Sequence, residues 1–144
     1  MQVTKLNFKE TYPFQIKQDK DTFFIYDILR KIWLVLTPEE WVRQHWIYYF
    51  HKTKGYHTSA LIAEQKIILN GTTKRLDLLV TAKTQPQILI ECKAPHIKLN
   101  EVVFEQTARY NSIIKAPEII LSNGLHHIFA QYKDNSYHFY PNEV

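Results

Sequence analysis

The chain has 144 residues, a formal charge of +4 and a pI near 9.1. That length suits a single domain, 1–144, able to bury a core without a disulfide or structural metal, and the one cysteine excludes an internal bridge and points to the cytoplasm. No apolar run reaches the roughly 18 residues of a membrane span, the N-terminus lacks the basic-then-apolar order of a secretory signal, and the charge excess leans toward an anionic partner without requiring one.

In chain order, the first apolar stretch, "FFIYDILRKIWLVL", is rich in β-formers and predicts a hairpin, so residues 1–36 are expected to be an addition to a core over 37–125. The clearest helix start follows. Thr37 suits an N-cap, Pro38 the first helical position, and Glu40 the capping-box carboxylate. A helix over 38–54 is predicted, its inward face formed by Trp41, Val42, Trp46, Tyr49 and Phe50 at helical spacing.

After Gly55 the pattern becomes extended. "ALIAEQKIIL" and "RLDLLVT" flank the turn pair Asn70-Gly71, and "QILIECK" follows as a third run. Three strands on short connections predict an antiparallel meander. A second helix is expected over 100–115, where Val103, Gln106, Tyr110 and Ile113 recur three or four apart. The short run "EIILS" after Pro117 predicts a crossover strand parallel to the meander, and "HHIFAQY" with "SYHFY" a terminal hairpin within 126–144. The fold class is therefore α/β, a mixed central sheet flanked by helices.

The third run places charge where apolar residues are expected. Ile88, Leu89 and Ile90 lead directly into Glu91, Cys92 and Lys93, and strand alternation turns Glu91 and Lys93 to one side and Cys92 to the other. On its own such a pair reads as a solvated ion pair. The neighbouring strand sets Asp77 between Leu76 and Leu78, so two carboxylates share one buried locality. Their repulsion is relieved by a shared cation or by a raised pKa. Oxygen donors favour a hard ion such as Mg²⁺, for which Mn²⁺ can substitute, and an ammonium beside it outlines a site for phosphodiester hydrolysis.

Asp77 followed fourteen positions later by Glu91-x-Lys93 resembles the PD-(D/E)xK nuclease superfamily. The segments "TPEEWVRQ", "KRLDLLV", "ILIECKAP", "EQTARYN" and "LSNG" stand in the order of the nuclease domain at the N-terminus of type I restriction enzyme R subunits, and the resemblance covers about 37–125. It implies a restriction-endonuclease-like core, with Asp77 and Glu91 as metal-binding acids and Lys93 as the catalytic lysine. It further implies a ligand at the carbonyl of Cys92 and a Gln-x-x-x-Tyr element at Gln106 and Tyr110 that approaches the metal site or the DNA. The family's first-helix acid falls at Glu40. Leu76 departs from the pattern, standing where many members have proline.

Each assignment has a plainer counterpart. Glu40 is explained equally by helix capping, Gln106 by a surface position and Tyr110 by packing; Glu64, in the middle of "LIAEQKI", is a candidate further acid near the site, with an exposed strand position as the plainer reading. The seven histidines show no zinc-ligand spacing. Lys74, Arg75, Lys98 and Arg109 are candidate phosphate contacts, and equally solvated surface. No Gly-x-x-x-x-Gly-Lys-Ser/Thr loop is present, so the expectation is either a stand-alone nuclease or a part working with other proteins, such as separate motor or specificity subunits. The expectation is a Mg²⁺-dependent DNA nuclease, with a homodimer as one way to cut both strands. Its rivals are a non-catalytic DNA-binding or assembly module on the same fold and a hydrolase acting on RNA or a small molecule.

Overall fold

The computed structural model describes residues 3–144. Its elements run β1 (Ile16–Asp19), β2 (Thr22–Asp27), β3 (Ile32–Val35), α1 (Pro38–Tyr48), β4 (Leu61–Leu69), β5 (Thr72–Ala82), β6 (Gln85–Cys92), α2 (Glu101–Ile114), β7 (Glu118–Ser122), β8 (His127–Lys133) and β9 (Ser136–Tyr140). Strands β4 to β9 form one six-stranded sheet in sequence order, antiparallel throughout except for the parallel β6–β7 pair that α2 bridges. This is the predicted meander, crossover and terminal hairpin. No helix among the described residues is long and apolar enough to cross a membrane.

The N-terminal hairpin gains a strand. β1, β2 and β3 form a separate antiparallel sheet in which Ile16 pairs with Ile25 and Ile25 with Leu34. β1 escaped the sequence reading because "IKQD" offers one apolar residue, and all four of its residues are exposed.

α1 begins as its sequence dictates, with Thr37 extended and its Oγ1 accepting the Glu40 N–H at 3.1 Å. The α-helical stretch ends at Tyr48, sooner than predicted, and the chain continues as one π-helical turn over Tyr49–Thr53. A larger correction concerns its faces, since every residue from Val42 to Phe50 is buried. An arm before β1 explains this. Phe8 lies 5.0 Å from Trp46 and Phe14 lies 4.6 Å from His45, centroid to centroid, while the Trp41 indole donates to the Thr4 carbonyl at 2.7 Å. The arm covers the side of α1 that the sheet leaves free, and burial lowers the His45 pKa to about 4.

α2 also differs in detail. Its most buried residues are Thr107 and Asn111, whereas Ile113 is exposed and Gln106 half-buried. Asn111 is turned inward because it closes the helix. Its Oδ1 accepts the Ala116 N–H and its Nδ2 donates to the Ala116 carbonyl and to the Tyr137 hydroxyl, each at 2.9 Å, after Lys115 takes a left-handed φ of 61°.

The "LSNG" segment docks the arm. Asn123 Oδ1 accepts from the Leu125 and His126 N–H groups, and its Nδ2 donates to the Ile97 carbonyl at 2.8 Å. Gly124 has φ +86°, and its carbonyl accepts the Asn7 N–H at 2.8 Å. A Cβ at this position would stand 2.7 and 2.9 Å from the two terminal methyls of Leu6, whereas one at Gly71, φ +74°, would meet nothing within 4 Å. Both Gly→Ala changes carry backbone strain of about 1 kcal/mol or more, and only Gly124→Ala adds the clash. Denaturant unfolding is expected to show Gly124→Ala as the more destabilised of the two; equal losses would mean that the arm yields at no cost.

Candidate functional site

The acids stand where the β5–β6 ladder stops. Leu78 pairs with Ile90, so the next step of the register sets Asp77 opposite Glu91. There the side chains take over the hydrogen bonding. The Cys92 N–H donates to Asp77 Oδ2 at 2.8 Å, and the Asp77 N–H donates to Glu91 Oε1 at 3.2 Å. Each carboxylate is thus fixed by the backbone of the other's strand. Both are buried, at 8% and 5% exposure, which is what brings two like charges into conflict here.

That conflict appears as displaced acidity. Burial raises the Asp77 carboxyl to about 6, against the opposing pull of the Cys92 N–H and of Arg43. Burial first, and then the charge of Asp77, raise Glu91 well above the usual carboxylate range, while Lys93 lowers it. Cys92 faces the other way, into the core that α1 packs against, and burial pushes its thiol up.

A third carboxylate joins the row. β4 keeps its register with β5 on both sides of Glu64, through Ala63↔Leu78 and Gln65↔Leu76, so Glu64 stands opposite Asp77. Its φ of 60° turns it out of the ladder, in a region costly for a residue with a Cβ. The plain reading of Glu64 as an exposed strand position is corrected by this turn: it is partly buried and paired with Arg43.

Arg43 is the residue that sequence reasoning missed. From α1 its guanidinium forks onto Glu40, with Nη2 at 2.6 Å from Oε1 and Nε at 3.0 Å from Oε2. Its Nη1 meets Glu64 and lies 3.5 Å from Asp77 Oδ1. Glu40 also accepts from Gln44 Nε2 at 3.1 Å, and Gln44 Oε1, fully buried, has no donor among the described residues. Glu40 therefore approaches the acid row with both oxygens engaged, and it makes no return bond to Thr37, whose N–H donates to the Val35 carbonyl instead. The signal for Arg43 was present as an acid and a base three apart on one helix turn. Nothing in the sequence marked Glu64 as left-handed.

The remaining candidates lie on β5, at the end of β6, on α2 and in the loop between β6 and α2. The Lys93 N–H donates to the Ser122 carbonyl at 2.8 Å, which fixes its backbone, and its half-buried side chain acts on Glu91. Tyr110 packs on Leu76, Leu79 and Leu89, and its raised hydroxyl pKa reflects burial and then the charges of Glu91 and Asp77. Gln106 lies one turn before it, half-buried. Arg75, Lys98 and Arg109 are exposed and Lys74 half-buried, and none of the four takes part in an ion pair among the described residues.

As hard donors, Asp77 and Glu91 fit a divalent ion that keeps several waters. One oxygen of each is held by a backbone N–H, and the second of Asp77 faces a cation already. Among the described residues no three His, Cys, Asp or Glu converge as a ready-made ligand set, so water and backbone oxygens would complete the shell.

The acidity of the pair has a measurable consequence without metal. Between its ordinary value of 3.8 and about 6, folded Asp77 holds a proton that the unfolded chain releases, so its contribution to stability is lost as pH rises through that window. His45 works in the opposite direction between 6.5 and about 4, where the unfolded chain takes up a proton that the folded one refuses. In EDTA, Asp77→Asn is expected to gain stability over wild type as pH rises from 4 to 6, by up to about 3 kcal/mol. Parallel stability curves for the two proteins would mean that Asp77 titrates normally.

Comparison with curated proteins and with solved structures finds no match. The model of one family, described as type I restriction enzyme R protein N terminus (HSDR_N), matches residues 38–142. The match begins at the first residue of α1 and takes in the acid row, Lys93, α2 and the "LSNG" turn. The chain belongs to the family of type I restriction enzyme R protein N-terminal domains.

Proposed function

We propose that this domain is a Mg²⁺-dependent nuclease that hydrolyses phosphodiester bonds of DNA, working in restriction, defence or DNA processing together with motor and specificity functions. The observation that carries the reading is the braced pair Asp77 and Glu91 at the end of the β5–β6 ladder, with Lys93 two residues beyond Glu91.

Asp77, Glu91 and the Cys92 carbonyl would hold the ion. When bound, it supplies charge neutralisation at the phosphoryl group and a more acidic water. The protein's own part begins with geometry: reciprocal backbone bonds fix both carboxylates before substrate arrives, so no reorganisation is needed at the moment of reaction. Both acids must be ionised to bind a cation, which their raised pKa opposes; the ion and the proton compete for the same oxygens. Lys93 brings its side-chain nitrogen to the acid side of β6: as the ammonium it orients the attacking water and offsets developing negative charge, and only as the neutral amine does it take that water's proton. Gln106 and Tyr110 line the approach from α2, and Lys74, Arg75, Lys98 and Arg109 supply phosphate contacts whose strength falls with salt. Cutting both strands of a duplex takes two such sites, which two copies of the chain would provide.

The rival reading, a non-catalytic DNA-binding or assembly module, is favoured by one observation. Arg43 already faces Asp77 and forks onto Glu40, so part of the acid charge is neutralised from within.

Incubation with supercoiled, linear and single-stranded DNA in Mg²⁺, Mn²⁺ or EDTA separates the two. The nuclease reading expects metal-dependent cleavage, a fall of about 10² or more in turnover for Lys93→Ala at saturating DNA, and retained binding. Lys93→Arg is expected not to restore the rate, because a delocalised guanidinium does not give up a proton. If no DNA form is cut and Lys93→Ala only weakens binding in a salt-dependent way, the domain is a binding module.

A further inference from the structure

Arg43 and Glu64 have no place in the reaction just described, yet the chain spends unfavourable geometry on their meeting. Arg43 is 8% exposed, and its guanidinium serves three carboxylates from three elements: Glu40 on α1, Glu64 on β4 and Asp77 on β5. The contacts are unequal. Glu40 takes the fork, Glu64 takes Nη1, and Asp77 Oδ1 is the loosest partner at 3.5 Å. Glu64 reaches Nη1 only because its backbone leaves the ladder at φ 60° while the strand pairing on either side stays in register.

We propose that Arg43 is a built-in competitor for the divalent ion at Asp77, and that Glu64 serves as its holding partner, retaining the guanidinium when Asp77 turns to the metal. The inference rests on the nuclease reading above, since it concerns the same metal. In the metal-free protein a guanidinium beside Asp77 keeps the row from standing as uncompensated buried charge. An ion bound by Asp77 and Glu91 is repelled by a cation so close, so Arg43 weakens metal binding by the same interaction that stabilises the empty site. The fork to Glu40 anchors Nε and Nη2 on α1 and so fixes Nη1 between Glu64 and Asp77; when Asp77 Oδ1 turns to an ion, the guanidinium keeps Glu40 and Glu64 as its partners. Glu64 is thus a positioning residue acting through Arg43, and Arg43 sets the concentration at which the site fills.

Calorimetry with Mn²⁺ alone, supported by melting curves with and without the ion, tests this without reference to cleavage. Arg43→Gln is expected to melt below wild type in EDTA and to bind Mn²⁺ about tenfold or more tightly, since one opposite charge at this range moves an ionic equilibrium by about one to three powers of ten. Glu64→Gln is expected to weaken Mn²⁺ binding in the wild-type background and to have little effect in Arg43→Gln, the mark of a residue acting through another. If Arg43→Gln does not fold, Arg43→Lys carries the test: a point charge cannot fork onto Glu40 while facing Asp77, so it too should bind Mn²⁺ more tightly than wild type. Unchanged or weaker Mn²⁺ affinity on removing the guanidinium overturns the competition. A Glu64→Gln effect that persists in Arg43→Gln overturns the holding role and makes Glu64 a direct ligand. Binding by Arg43→Gln but not by wild type supports the competitor outright, whereas absence of Mn²⁺ binding in every protein overturns the metal reading and this inference together.

Discussion

The reciprocal bond between two strand ends is the constraint on which the site depends. Where β5 and β6 stop exchanging backbone hydrogen bonds, two N–H groups would be left unpaired in a buried place, and the carboxylates of Asp77 and Glu91 accept them. The acids therefore complete the ladder at the same time as they create the charge problem. Removing either would leave a buried donor unpaired. This is why their positions follow so directly from the strand register, while the residues that answer the charge stand outside it: Arg43 on α1, and Glu64 at the one point where β4 leaves its ladder with β5.

Around this point the fold is arranged to hold the strand ends in a dry environment. From Val42 onward α1 is buried on all sides, by the sheet on one and by the arm on the other, and its aromatic residues interlock with Phe8 and Phe14. The arm is itself tied to the "LSNG" turn and to the chain end, through the Asn7 N–H on Gly124 and the Lys9 N–H on Val144. Packing on one side of the sheet and turn geometry at the end of β7 thus support the same helix that delivers Glu40 and Arg43.

The sequence was most legible where periodicity and cap chemistry agree. Thr37-Pro38 marks the start of α1, Asn70-Gly71 the β4–β5 turn, and the apolar runs the central strands, with the crossover following from the helix between two buried runs. Asp77 and Glu91 could be placed side by side because an acid inside an apolar strand has few structural explanations. The rest lay in tertiary context. α1 was read as one-faced because nothing local tells a helix that an arm forty residues upstream will cover its back. Ile113 falls on the apolar period of α2 but is exposed, and Asn111 takes an inward position because its amide closes the helix end. For Glu64 the sequence favours an exposed strand position over a further acid near the site, because a left-handed backbone at glutamate is imposed by its partners and not by its own preference.

Cys92 is the only thiol in the chain and lies in the same strand as Glu91, one residue on, with 1% of its surface exposed. Packed in an apolar layer with its acidity suppressed, it is inert toward alkylating reagents in the closed fold. It can react only when the end of β6 separates from its neighbours. The chain thus carries a natural chemical reporter inside its candidate centre, and the rate at which that sulfur is captured measures how often the strand bearing Glu91 opens.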